Sequence, residues 1–233
     1  RRYAIALGLG AAIAVAMAGS GRAETDRRES GFERGDASDW SGPWGGGTEG
    51  GEGRGGIITL QPGDFVRTGR RAARLSVWDG GASNAIAWAF MAEKHVCRPG
   101  ARIRAGAQFY ASSTNEPLPQ GAVGQLRVEY YYDHSCESQI PTHVKLSEPF
   151  SLKAGHQPDA WQAVELSDRV PPGATCLKFT ILLMAEQPGP RPGTLWVDDV
   201  FLEQTRGSGR SQADANEAGP SVAQARWWQR LCR

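Results

Sequence analysis

Alternation of apolar and polar residues between turn signals is the feature that most constrains this chain. Over Ala101–Ala111, Ile103, Ala105, Ala107 and Phe109 share one side, and Arg102, Arg104, Gln108 and Tyr110 the other. Over Gln125–Asp133, Leu126, Val128, Tyr130 and Tyr132 oppose Gln125, Arg127, Glu129 and Tyr131. A period of two is the mark of a strand with one buried face. Pro- and Gly-rich turns such as Arg98-Pro99-Gly100 punctuate the pattern. Shorter runs of strand character lie at Ile57–Leu60, Ala72–Trp78, Ala85–Glu93, Val144–Leu152, Trp161–Leu166 and Cys176–Met184. No segment carries a helical period. The expectation is an all-β protein, a jelly-roll β-sandwich of about eight to ten antiparallel strands.

The closing strand is Gly193–Glu203, after the breakers Gly189-Pro190-Arg191-Pro192. It contains Asp198-Asp199, although Asp is depleted in strands. A buried carboxylate needs a partner. Either a cation or a set of backbone donors near the strand accounts for the pair; a solvated strand end is the plainer alternative. At the other end of the globular part, Gly31-Phe32-Glu33-Arg34-Gly35-Asp36 again sets a carboxylate beside an aromatic residue.

These two ends resemble the extracellular galactose-binding-like β-sandwiches, which include carbohydrate-binding modules of families 4, 9 and 22. Three internal stretches are similar to elements of those modules in the same order. They are Val66–Leu75, Arg98–Ala111, and Trp161-Gln162-Ala163-Val164-Glu165-Leu166 followed by Val170-Pro171-Pro172-Gly173-Ala174. The resemblance implies a structural Ca²⁺ held by Glu33 with Asp198 or Asp199, since hard oxygen ligands suit that ion. The chain lacks the Asn that often precedes the Gly-Phe-Glu element, which leaves the ligand set open.

Outside the sandwich, Arg1-Arg2 precede an apolar run from Tyr3 to about Ala18, with small-residue cleavage sites at Ala16-Met17-Ala18 and Gly21-Arg22-Ala23. This has the form of a signal peptide. The run is shorter than the ~20 residues of a spanning helix, and an uncleaved anchor is the alternative. The expected organisation is a signal peptide over 1–23, a lead-in over 24–30, the sandwich over 31–204 and a disordered tail over 205–233. A Gly-rich loop at 42–56 carries Trp44, with Trp40 just before it; each is either a sugar platform or a hydrophobic plug. The tail ends in Trp227-Trp228-Gln229-Arg230-Leu231. The expected location is secreted or periplasmic, with no membrane contact after cleavage.

Four cysteines in such a protein allow three pairings. The favoured one is Cys97–Cys176, both at strand ends, with Cys136 and Cys232 left over. Their spacing is not that of a zinc site. The net charge of +1 gives no case for nucleic acid. His95, His134, His143 and His156 are scattered, and no nucleophile elbow or phosphate loop appears. The reading is therefore a non-catalytic carbohydrate-binding module. Sugar rings stack on aromatic side chains, and their hydroxyls need a few placed polar groups. Arg104, Gln108 and Tyr110, set beside Arg127, Glu129 and Tyr131 on one sheet face, supply both and are the expected ligand-binding residues. An ordinary solvated face is the alternative. Two other functions are carried. Gly31–Trp40 is also similar to the opening of some jelly-roll polysaccharide lyases, which makes an enzyme the second. An envelope adhesion module, with a protein partner at the C-terminal tail, is the third.

Overall fold

The computed structural model describes residues 25–30, 32, 40–41, 52–59, 65–78, 85–91, 95–137, 139–186 and 190–205. They form two antiparallel sheets packed face to face, the expected all-β sandwich. In chain order the strands are β1 (Thr25–Ser30), β2 (Trp40–Ser41), β3 (Glu52–Thr59), β4 (Arg71–Trp78), β5 (Ala85–Met91), β6 (His95–Val96), β7 (Arg102–Tyr110), β8 (Val123–Tyr131), β9 (Gln139–Leu146), β10 (Gln162–Arg169), β11 (Cys176–Ala185) and β12 (Gly193–Thr205). The first sheet runs β10-β7-β12-β4-β3, with β1 also paired to β12. The second runs β2-β5-β11-β8-β9, with β6 also paired to β11.

The inward faces are those the alternation marks. Ile103, Ala105, Ala107 and Phe109 of β7 meet Leu126, Val128 and Tyr130 of β8 in one core with Phe179, Ile181 and Leu183 of β11. Tyr132 departs from the expectation. β8 ends at Tyr131, and Tyr132 is 53% exposed. Tyr130 is buried, and its hydroxyl crosses the sandwich to donate to Asp168 Oδ2 at 3.0 Å.

β12 organises the first sheet. Its first half, Gly193–Val197, pairs with β4, and its second half, Val200–Thr205, pairs with β1. β7 runs along its other edge, with a register shift between Asp198 and Phe201. Asp199 sits there at φ 46, the extra residue of a β-bulge. One extra residue reverses the side-chain parity, so Val200 turns inward and Phe201 outward. The Phe201 ring then lies over Gly106 of β7, where a Cβ would come within 2.4 Å of it. Only glycine leaves room for that ring.

Three expectations need correction. Residues 24–30 were expected to be a lead-in, yet Thr25–Ser30 is a full strand on β12. Its side chains are charged and exposed, so no alternation betrays it; backbone pairing and the Arg27–Glu203 ion pair hold it. The Gly-rich stretch also holds more strand than expected, since β3 begins at Glu52. The signal segment 1–23, Glu33, Trp44 and the tail from 206 lie outside the described residues.

The disulfide is the third correction. Cys136 bonds to Cys176, and Cys97 is a buried free thiol. Parity explains it. Val96 of β6 stands opposite Cys176 of β11, so Val96 and Cys176 share the outer side. Cys97, one residue on, points into the core instead. Burial pushes its thiol up to about 12.

Candidate functional site

The outer face of the first sheet carries a row of rings near the N-terminal half of β12. Trp196 of β12 stands opposite Tyr110 of β7 on one side and Arg74 of β4 on the other. Outer-face residues are ordinarily solvated, yet Trp196 is only 4% exposed. The segment before β4 covers it, and Phe65 stacks on the indole at 4.9 Å and 20°. Phe65 also contacts Tyr110, at 5.4 Å and 44°, and Tyr110 contacts Trp161, at 5.4 Å and 42°. Phe65, Tyr110 and Trp161 are half-buried. Each keeps some exposed surface, and Trp196 is buried beneath Phe65.

Polar groups flank the row. Asp159 adopts φ 60 and closes its loop on β7 through its own N–H to the Ala111 carbonyl, at 2.8 Å. Its Oδ1 accepts from Ser113 N–H at 2.9 Å and from the Tyr110 hydroxyl at 3.3 Å. The hydrogen bonds from Ser113 hold the Asp159 carboxyl below its usual range. Burial, then the nearby Asp159 charge, raises the Tyr110 hydroxyl, which therefore stays a donor. Glu116, at φ 53, accepts from Arg74 and from the Thr194 hydroxyl. Thr194 shares a 2.7 Å hydrogen bond with Ser76. Two loops thus stand beside the ring row, each fixed by a carboxylate in a left-handed backbone conformation.

Asp198 lies under the same covering segment, fully buried. Its Oδ2 accepts from Arg67 N–H and Thr68 N–H, both at 3.0 Å, and its Oδ1 from Asp199 N–H at 2.7 Å. Burial pushes the carboxyl up to about 6, against the pull of these amides. Asp199 accepts from the Thr68 hydroxyl at 2.7 Å and pairs with the Arg67 guanidinium. Backbone donors, one of the two explanations the sequence offered for the Asp pair, are present. Every oxygen of the pair is engaged by a donor, and the Arg67 guanidinium sits beside Asp199. The Glu33 part of the expected Ca²⁺ set lies outside the described residues, and those described contain no cluster of three metal-ligating side chains.

The six expected ligand residues do not come together. β7 and β8 follow each other in sequence but belong to opposite sheets, so Arg104, Gln108 and Tyr110 face away from Arg127, Glu129 and Tyr131. On the second sheet, Arg127 donates to Glu129 at 3.0 Å and Lys178 lies 4.7 Å over the Tyr131 ring. Burial pushes the Tyr131 hydroxyl up to about 12. This is a tightly packed ionic group with little open surface. On the first sheet, Arg104 pairs with Glu165 at 2.8 Å and lies 5.2 Å over Phe201. Only Tyr110, with half-buried Gln108 on the next outward position of β7, belongs to the ring row. Phe65, Asp159 and Trp161 were not singled out as site residues. Trp161 was legible as a strand start, but its neighbour Tyr110 is fixed by the β10–β7 register.

No family model matches the chain. No curated protein matches it either. Among solved structures it is similar to carbohydrate-binding β-sandwiches. One is a carbohydrate-binding module of the beta-sandwich superfamily described for promiscuous specificity, at 15% identity over 72% of this chain and 58% of that one, TM-score 0.47. A module described for mannan recognition matches at 14% identity over 80% of this chain and 99% of that one, TM-score 0.40. The enzymatically active domain of tailspike protein 4 of bacteriophage CBA120 matches at 16% identity over 73% of this chain, TM-score 0.48. The chain spans 20% of that tailspike chain and 58% of the promiscuous module's.

Proposed function

We propose that this protein binds a poly- or oligosaccharide on the outer face of its first sheet, without catalysis. The observation that carries the reading is the row Phe65–Tyr110–Trp161, half-buried rings in contact beside buried Trp196. Such a row offers the apolar C–H faces of successive sugar rings a surface to stack on. Asp159, Gln108 and the Tyr110 hydroxyl are the polar groups within reach of sugar hydroxyls. The Cys136–Cys176 disulfide suits an oxidising compartment outside the cytosol, in keeping with the signal-like N-terminus. No helix among the described residues is long and apolar enough to cross a membrane.

A glycan-array screen followed by titration tests this. Trp161→Ala and Tyr110→Ala are each expected to weaken binding about ten-fold or more, the loss of one stacked ring. Arg127→Ala, on the opposite face, is expected to leave affinity unchanged. A folded protein that binds no glycan, or one whose binding survives both aromatic substitutions, would sink the proposal.

A further inference from the structure

The end of the sandwich remote from the ring row carries three arginines with no ion-pair partner among the described residues. Arg102 of β7 and Arg169 of β10 stand directly opposite each other in register, both exposed. Like charges in that position repel. Elsewhere on the outer faces each arginine described above has a carboxylate: Arg27 with Glu203, Arg67 with Asp199, Arg74 with Glu116, Arg104 with Glu165, Arg127 with Glu129. Arg98 is exposed in the turn leading into β7, where Ala101 N–H donates to its carbonyl at 3.1 Å. Two uncompensated cations side by side, and a third in the adjoining turn, call for an anion from outside the chain.

The same end carries the two exposed large hydrophobic side chains among the described residues, Val96 at 63% and Tyr132 at 53%. Thr175 ties them together. Its carbonyl accepts from Cys97 N–H at 2.9 Å, and its hydroxyl donates to the Tyr132 carbonyl at 2.8 Å. The turn that holds Thr175 joins Arg169 to β11, so the two groups meet at one end of the sandwich, the arginine pair on the side of the first sheet and Val96 on that of the second. Both ends of the described chain emerge here too. Thr25 pairs with Thr205, and Thr205 stands opposite Arg102. Only residues 19–24 separate Thr25 from the apolar run Tyr3–Ala18, and Trp227-Trp228 and Leu231 follow Thr205.

We propose that this end docks on an anionic lipid surface. Arg98, Arg102 and Arg169 would meet headgroup phosphates, for which the guanidinium fork is suited. Val96 and Tyr132 would sit at the interface, where aromatic and aliphatic tips gather. The exposed apolar side chains Val96 and Tyr132 beside the cations favour a bilayer over an acidic polysaccharide as the occupant. Asp26 and the exposed Glu137 lie at the same end and weaken the field without pairing the three arginines. The surface is distinct from the ring row. Arg102 and Tyr110 are the two ends of β7, about 27 Å apart at the usual rise.

The test compares partition of the 233-residue chain into phosphatidylcholine vesicles and into vesicles that also contain phosphatidylglycerol. Residues 1–24 are the same in every variant, so a change in the anionic-to-neutral ratio reports the substituted arginines. A basic side chain at an anionic leaflet changes binding roughly five-fold, so Arg102→Gln/Arg169→Gln is expected to lower the ratio about twenty-five-fold. Arg98→Gln, in an exposed turn, is expected to lower it about five-fold and serves if the double variant does not fold. A ratio that these substitutions leave unchanged overturns the proposal. So does loss of heparin binding in the double variant with the vesicle ratio intact, which would assign the arginines to an acidic polysaccharide.

Discussion

Asp198 has three backbone N–H donors and no exposed surface. Asp198→Asn keeps the shape but brings an NH₂ group against at least one of those donors. A buried donor left unpaired costs about 1–3 kcal/mol. Urea unfolding should show that loss with the slope unchanged; a variant as stable as the parent would mean the amides find other acceptors. His95 gives the pH dependence. It is buried, and desolvation first, then Arg28 of β1, lowers it from 6.5 to about 4, with Asp26 pulling the other way. The fold therefore holds it neutral. Its contribution is fully present above 6.5 and is lost as pH falls towards 4, up to about 3 kcal/mol. Asp198 has the opposite sign. Its carboxyl takes a proton in the folded state below about 6, before the unfolded chain does at 3.8, so acid adds stability there. Melting temperatures between pH 7 and 4 should fall less steeply for His95→Gln than for the parent. Equal slopes would show that His95 is not held neutral.

Among the elements, the Cys136–Cys176 bond pins the loop after β8 to the start of β11 across a separation of 40 residues. Closing a loop of that size is worth about 4 kcal/mol on the chain-entropy scale. Cys136→Ser should lower stability by an amount of that order, and Cys97→Ser should leave the cross-link in place, as a non-reducing peptide map would show. What could be read in advance divides along the same line. The strands β7 and β8 were legible because their apolar and polar residues alternate, a local property, and β12 because Pro and Gly breakers precede a run of strand-forming residues. Which strands neighbour one another was not. Arg104 and Arg127 each lie on a polar face one strand apart in sequence, yet the chain crosses between sheets after Tyr110. Strand β1 escaped because Thr-Asp-Arg-Arg-Glu-Ser has no apolar face at all. The bulge at Asp199 escaped because its cause, the hand-over from β4 to β1, lies in the pairing. The cysteine pairing failed on parity, since facing inward or outward at Cys97 depends on where β6 begins.

Across the whole molecule, the ring row and the unpaired arginines occupy opposite ends of β7. A sandwich resting on its arginine end would hold the ring row away from the bilayer, and the two predictions can fail separately. Substitutions at Trp161 should not alter vesicle partition, and those at Arg102 should not alter glycan affinity. The pairing of Thr25 with Thr205 has a consequence of another kind. The polypeptide enters and leaves the domain at adjacent backbone positions, already joined by strand pairing. A host protein could accept residues 25–205 within one of its own surface loops without spreading that loop apart, because the inserted ends span no more than the gap between neighbouring strands. By the same reasoning, a short bridge from 205 to 25 would turn the domain into a closed ring, and its termini could then be moved to another exposed turn.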